Sequence, residues 1–202
     1  QPGQIVAHAS GRLGLEALAP AAAAGAITIA LHPAMTFTGT SLDLDRLEGA
    51  TMAVTASAVV LPIAQALAID IGAEPVVVPD ESRAAYHAAL VHGANHVAAT
   101  VSGAASVLVD LGIENPGRLL RPLVEATLEG ALAEEPGSLA TLTGPVVRGD
   151  VGTIASHLTA LEQWPEVRDA YAALAAATAR GAFASGRITA RVRDAVLDTL
   201  AG

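Results

Sequence analysis

The sequence contains no cysteine, so disulfides, thiolate catalysis and Cys-based zinc sites are all excluded. It contains no lysine either, because all 11 basic residues are Arg. That removes Schiff-base chemistry, a phosphate-loop lysine and any lysine general acid. Positive charge is scarce altogether: a net charge of −9 leaves no basic stripe to replace the counterions of a nucleic acid. Aromatic residues make up only 2%, so large interface anchors are few. Long apolar runs are missing as well. The longest uncharged stretches, 17–42 and 50–69, are broken by Pro, Gly, His, Thr, Ser or Gln. Neither is the smooth block of about 20 residues that a spanning helix requires. The positive mean hydropathy of +0.48 reflects alanine rather than a membrane segment. No basic region with a short apolar core opens the chain, so no signal peptide is visible. Together these absences imply a soluble, acidic, cytoplasmic protein that binds neither nucleic acid nor membrane. A dinucleotide fingerprint is also absent, since SGRLG and SGAAS do not fit G-x-G-x-x-G.

At 202 residues the chain can bury a substantial core. Its first 80 residues alternate strand-like runs with helical or loop segments. The runs are IVAHA (5–9), AITIAL (26–31), MAVTA (52–56) and PVVVP (75–79). Between them a helix is expected near Leu13–Leu18, an acidic turn at LDLDRLEG, and a helix near Leu61–Ile71. Nearly continuous apolar strands separated by helices predict a parallel sheet covered on both faces, half of a doubly wound α/β domain. After Pro79 the β signal vanishes. One long helix is predicted from Asp80, as N-cap, to Leu111, with Gly112 and Pro116 as its stop. Further helices are predicted over Arg118–Glu134, Val151–Gln163, Pro165–Ala184 and Ile188–Leu200. The fold class is therefore α/β followed by all-α. The domains are 1–79, an α/β half, and 80–202, a helical substrate or dimerisation domain. The Ala-rich run AYAALAAATARGAFA suits close helix–helix packing, within the chain or in a homodimer.

Ligands of open α/β sheets bind outside the carboxyl ends of the strands. Two strands end there in uncharged loops, HASG (8–11) and HPAMTFTG (32–39), which place Ser10, His32, Thr36 and Thr38 on one edge. The competing explanation is that Pro33 stops the strand and the hydroxyls bond local backbone. The predicted long helix carries Arg83, Tyr86, His87, His92, Asn95 and His96. His87 and Asn95 are eight residues apart, about 80° round an α-helix and about 12 Å along it, so both can line one side of a cleft. A His can exchange a proton near neutral pH and an Asn can orient a carbonyl oxygen; the competing explanation is a half-buried His87 satisfied by a neighbour. His92 and His96 have metal-ligand spacing but no third ligand nearby, and no metal site is expected. In LTGPVVRGDVGT (142–153), Asp150 fits an N-cap with Thr153 at N3, whereas Arg148 fits either an anion clamp or a solvated surface Arg.

Taken in order, HASG, HPAMTFTG, DESRAAYHAA with Asn95, and LTGPVVRGD resemble a family of uncharacterised proteins. Its members pair a Rossmann domain with a helical C-terminal domain of unknown function. They look related to ketopantoate reductase, pyrroline-carboxylate reductase and deazaflavin-dependent NADP oxidoreductases. The resemblance spans essentially the whole chain. It implies an NADP-dependent parent whose glycine fingerprint lies upstream, and an N-terminally truncated chain that starts at Gln1 inside the Rossmann domain. Relatives present a Lys and an Asn to the substrate keto oxygen. With no Lys here, His87 takes the acid position and Asn95 the orienting one. Arg148, with Asp150 and Thr153, binds the substrate carboxylate, while Ser10, His32 and Thr36 form the nicotinamide side. The implied activity is NAD(P)-dependent reduction of a small 2-oxo acid, with ketopantoate the best single guess. The alternatives are a catalytically inactive cofactor-binding module and a dimerisation module.

Overall fold

Four short strands are separated by helices in the first half of the chain. They are β1 (Ile5–His8), β2 (Ile27–Pro33), β3 (Thr51–Thr55) and β4 (Glu74–Val77). The structure is a computed structural model, and it describes residues 1–133, 139 and 142–202. All four predicted strand runs are present within two residues. The strands form one sheet in the order β1-β2-β3-β4. β1 pairs parallel with β2, and β3 parallel with β4, but β2 and β3 are antiparallel. The sheet is therefore mixed where a wholly parallel one was expected. The β1–β2 connection carries helix α1 (Ala19–Ala23) and the β2–β3 connection helix α2 (Leu42–Leu47). β3 starts beside the end of β2, with Pro33 opposite Met52.

Strand side chains alternate between faces. One face presents Ile29, Met52 and Val54, which pack against Ala64 and Ala68 of α3 (Leu61–Asp70). Burying each of these large side chains contributes about 1.5–3 kcal/mol. Pro62 pre-sets the first turn of α3. Gly72, left-handed at φ 82°, ends it. There the Ala73 N–H donates to the Ala68 carbonyl at 2.9 Å, as in a Schellman cap. Ala73 then joins the same core.

The long predicted helix is interrupted. Asp80–Ser82 is a 3₁₀ turn, followed by α4 (Arg83–Leu90), a π turn over Val91–Asn95, and α5 (His96–Asp110). The π turn contains Gly93, a poor helix former. Asp80 is not the N-cap of this run; Pro79 precedes the 3₁₀ turn, and the Asp80 carboxylate is used elsewhere.

The chain divides into two compact units, 1–96 and 97–202. Residues 80–96, which the sequence reading placed with the helices, thus belong to the unit that contains the sheet. The second unit continues with α6 (Pro116–Ala133), α7 (Pro145–Arg148), α8 (Val151–Ala160), α9 (Pro165–Ala184) and α10 (Ala190–Ala201). The bounds of α9 match expectation at both ends, whereas the short α7 was not predicted. Glu134, the expected end of α6, lies outside the described residues. Ile154, Leu158, Ala179 and Val196 form the second core. Ala175, Ala179 and Ala182 of α9 are buried, so the small-residue stripe is used in part inside this unit. Among the described residues, no helix is long and apolar enough to cross a membrane.

Candidate functional site

The sheet face away from α3 carries His8, Ala30, His32, Ala53 and Thr55, by the same period-two alternation. The register puts His8, Ala30 and Thr55 in one row across three strands, and pairs His32 with Ala53. The antiparallel reversal thus brings the carboxyl end of β3 level with that of β1. Ala30 and Ala53 are fully buried, and their small side chains leave room for α4 to lie close. From α4, positions 83, 86 and 87 are related as i, i+3 and i+4 and share one helix face. Arg83 reaches Thr55, and Tyr86 and His87 reach His32.

Among the described residues, Arg83 is the largest fully buried side chain. One guanidinium nitrogen donates to Thr55 Oγ1 at 2.9 Å, and another to the Ser10 carbonyl at 2.6 Å. The Thr55 hydroxyl in turn donates a hydrogen bond to the Val78 carbonyl at 2.6 Å. Arg83 Nε is buried without a partner. A single cation therefore ties the loop after β1 to the end of β3.

The loop 9–14 is fixed residue by residue. The Ser10 N–H donates to His8 Nδ1 at 3.2 Å, so that nitrogen is unprotonated. The opposite ring nitrogen, Nε2, carries the hydrogen and donates it to the Gly14 carbonyl at 3.0 Å. The Ser10 hydroxyl accepts the Leu13 N–H at 3.2 Å. The Asp80 carboxylate accepts the Leu15 N–H at 2.7 Å, capping the 3₁₀ turn Leu15–Leu18 instead of its own helix. Two glycines make these approaches possible. A Cβ at Gly14 would sit 2.5 Å from Asp80 Oδ1. A Cβ at Gly11 would sit 2.5 Å from His87 Cδ2 and 2.9 Å from His32 Nε2. Gly11→Ala is therefore expected to cost about 1–3 kcal/mol by overpacking and to push the two imidazoles apart. Urea unfolding together with the imidazole NMR shifts checks both effects.

His32 is half-buried, and its Nδ1 lies 3.0 Å from the Tyr86 hydroxyl. The His32 and His87 rings meet edge to face with centroids 6.1 Å apart. Burial lowers the His32 pKa from its ordinary 6.5, and the charges of Arg83 and His87 act in the same direction. Burial raises the Tyr86 pKa, with Arg83 opposing. At neutral pH both groups are uncharged. A stability consequence follows from the His32 shift. Below pH about 6.5 the unfolded chain takes up a proton that folded His32 refuses. This contribution is complete above that pH and is lost as pH falls through the lower folded-state value. Tm measured against pH is expected to fall more gently over this range in His32→Asn than in the native sequence.

The other expected site residues are placed as follows. Thr36 is exposed on the loop after β2. Thr38 donates its N–H to the Asp43 carboxylate at 2.8 Å and its hydroxyl at 2.8 Å. Together with the Gly39 N–H at 2.8 Å, these bonds hold the Asp43 pKa below the usual carboxylate range, the Thr38 backbone bond contributing most. Local bonding thus accounts for the Thr38 hydroxyl. Asn95 is exposed at the end of the π turn. The 80° relation to His87 assumed an uninterrupted α-helix, and the wider π turn breaks that register. His92 Nδ1 lies 2.9 Å from His96 Nδ1. Among the described residues, no group of three metal-capable side chains is present.

Arg148, Asp150 and Thr153 belong to the second unit. Asp150 accepts the Thr153 N–H at 3.0 Å and its hydroxyl at 2.7 Å, which caps α8. The hydroxyl bond contributes most to a lowered Asp150 pKa, and the charge of Arg148 adds to it. Arg148 is exposed at the end of α7. The structure therefore brings Ser10, His32 and His87 together in the first unit. Arg83 and Tyr86 complete the set, although the sequence reading gave them no role. Their i, i+3, i+4 spacing with His87 was the available signal.

A shallow groove of about 290 Å³ runs along the opposite face, past Ala7, Leu31, Pro33 and Met52. Only His8 among its lining residues is titratable, whereas Arg83, Tyr86 and His87 gather on the α4 face.

No curated protein matches the chain. Protein TM1727 from Thermotoga maritima superposes with a TM-score of 0.72 at 22% identity, over 89% of this chain and 69% of that one. Protein BF3122 from Bacteroides fragilis, provisionally named an NADP oxidoreductase, gives 0.70 at 21% identity, over 85% of this chain and 63% of that one. At this identity the likeness establishes the fold, and the chain spans about two thirds of the length of each. Residues 1–33 match a Rossmann-like domain. Residues 50–178, more than half of the chain, match the domain of unknown function DUF2520. The chain belongs to the DUF2520 family, with a Rossmann-like segment ahead of that domain.

Proposed function

We propose that these residues form the proton-delivering part of an NAD(P)-dependent oxidoreductase that reduces a small 2-oxo acid, ketopantoate being the best single guess. The observation that carries the reading is the gathering of His32, Tyr86 and His87 beside Gly11, at the carboxyl ends of β1 and β2. That edge is where α/β sheets of this kind bind ligands.

NADPH, when bound, supplies a hydride to the keto carbon. The task left to the protein is to hold the keto oxygen and give it a proton. The His87 imidazolium donates that proton, leaving a 2-hydroxy acid, NADP⁺ and neutral His87, which is reprotonated from solvent. Ser10, His32 and Thr36 would stand on the nicotinamide side, and Asn95 would orient the keto group. The pyrophosphate of the cofactor needs a separate cradle. Gly11 and Gly14 do not provide it, because the space over them is filled by His32, His87 and Asp80. We therefore place the glycine fingerprint in a longer parent protein. For the second unit we propose, on the sequence pattern, that exposed Arg148 binds a carboxylate.

The test is NADPH absorbance in a parent protein containing these residues, followed across a panel of 2-oxo acids. Turnover with one of them supports the reading, and a flat trace across the panel with folded protein removes it. A dimerisation role has its own support. Helix α6 has no buried residue and leaves Leu123 62% and Leu132 86% exposed. Light scattering that finds only monomer would discard that role.

A further inference from the structure

His32 offers more than a wall for a cofactor. Its Nδ1 is engaged by the Tyr86 hydroxyl at 3.0 Å. Its other nitrogen, Nε2, is turned toward Gly11, within 3 Å of the point a Cβ would occupy, and the edge of His87 converges on the same point. The charged and titratable groups that face His32 are Arg83, Tyr86 and His87 from α4, with His8 on the same sheet face. Among the described residues, no carboxylate forms an ion pair with it. Two cation-bearing neighbours and no anion make a second positive charge at His32 unfavourable. A neutral imidazole has one N–H and one lone pair. Tyr86, itself uncharged, has a proton to donate, and donation to Nδ1 would place the lone pair of His32 there and the hydrogen on Nε2.

We propose that His32 is a neutral hydrogen-bond donor to the substrate oxygen, its Nε2–H tautomer fixed by Tyr86, acting beside the proton donor His87. This inference rests on the reductase reading and deepens it. The two imidazoles divide the work. His87 transfers its proton to the oxygen as the hydride reaches carbon, whereas His32 keeps its own and stabilises the developing negative charge. A neutral donor suits this role because it does not compete with His87 for the transferred proton. Tyr86 is a positioning residue, acting through His32.

Two measurements test this. In the first, the 202-residue chain is labelled with ¹⁵N at histidine and its imidazole shifts are followed with pH. The expected pattern for His32 is an unprotonated Nδ1 and a protonated Nε2 through neutral pH, giving way in Tyr86→Phe to averaging between the two tautomers. An Nδ1–H tautomer, or nitrogen shifts unchanged in Tyr86→Phe, overturns the proposal. In the second, His32→Gln in the parent reductase is expected to lower kcat about 100-fold at every pH, the usual effect of losing one oxyanion donor. A kcat within twofold of the native value overturns the donor role and leaves the reductase reading standing. Lack of turnover by the native parent removes the reductase reading and the donor role together, while the tautomer result stands by itself.

Discussion

Replacing Arg83 by Ala is expected to destabilise the protein by about 3 kcal/mol, measured by urea unfolding of the 202-residue chain. Truncating a large, fully buried side chain leaves a cavity, which costs about 2–5 kcal/mol. It also strips the Ser10 carbonyl and the Thr55 hydroxyl of a charged donor, and an orphaned buried acceptor costs about 1–3 kcal/mol. Set against these losses is the relief of a desolvated cation whose Nε has no partner. Arg83→Met separates the terms, because it fills the space while removing the charge. It is expected to recover more than half of the loss in Arg83→Ala. A total stability of about 5–15 kcal/mol makes a 3 kcal/mol change easy to detect. If Arg83→Ala lies within about 0.5 kcal/mol of the native chain, Arg83 is not what fastens the β1 loop to β3.

Under the proposed reductase function, replacing His87 by Gln is expected to lower kcat by about 10²–10⁴-fold, the range for loss of a general acid. Gln occupies a similar volume and keeps an N–H beside Gly11, so packing and substrate binding should change little and KM should stay within a few-fold. The variant also separates reductase from binding module. A cofactor-binding module would hold nucleotide equally well with either residue and would have no turnover to lose. Retention of more than half of the native kcat in His87→Gln would assign the proton to another group.

Both residues lie on α4, and their legibility in the sequence differs. His87 was singled out from its motif and its chemistry. Arg83 was visible as a charge on a helix and nothing more, because the row it bridges exists only once β3 runs antiparallel to β2. Asp80 is similar. Its position before a helix reads as an N-cap, yet its partner is the Leu15 N–H, 65 residues away. The glycines of SGRLG fail the dinucleotide spacing, and their actual reason, contact with His32, His87 and Asp80, involves three side chains remote in sequence. Thr38 and Asp150 show the converse. Their partners lie three to five residues away: the Asp150 cap is the one expected, while the Thr38 hydroxyl bonds the nearby Asp43 carboxylate and not the backbone.

What the sequence by itself determined is everything set by neighbours on the chain. That includes the four strands, the helix over Pro165–Ala184, the cap at Asp150 and the passage from α/β to all-α. Propensity, capping and hydrophobic period are local, and they are written residue by residue. The tertiary structure alone decided strand direction, the π turn that moves Asn95 out of register, and the cluster of Arg83, Tyr86, His87 and His32. Those depend on which faces bury against each other across long separations, and a two-residue or 3.6-residue period carries no information about its distant partner.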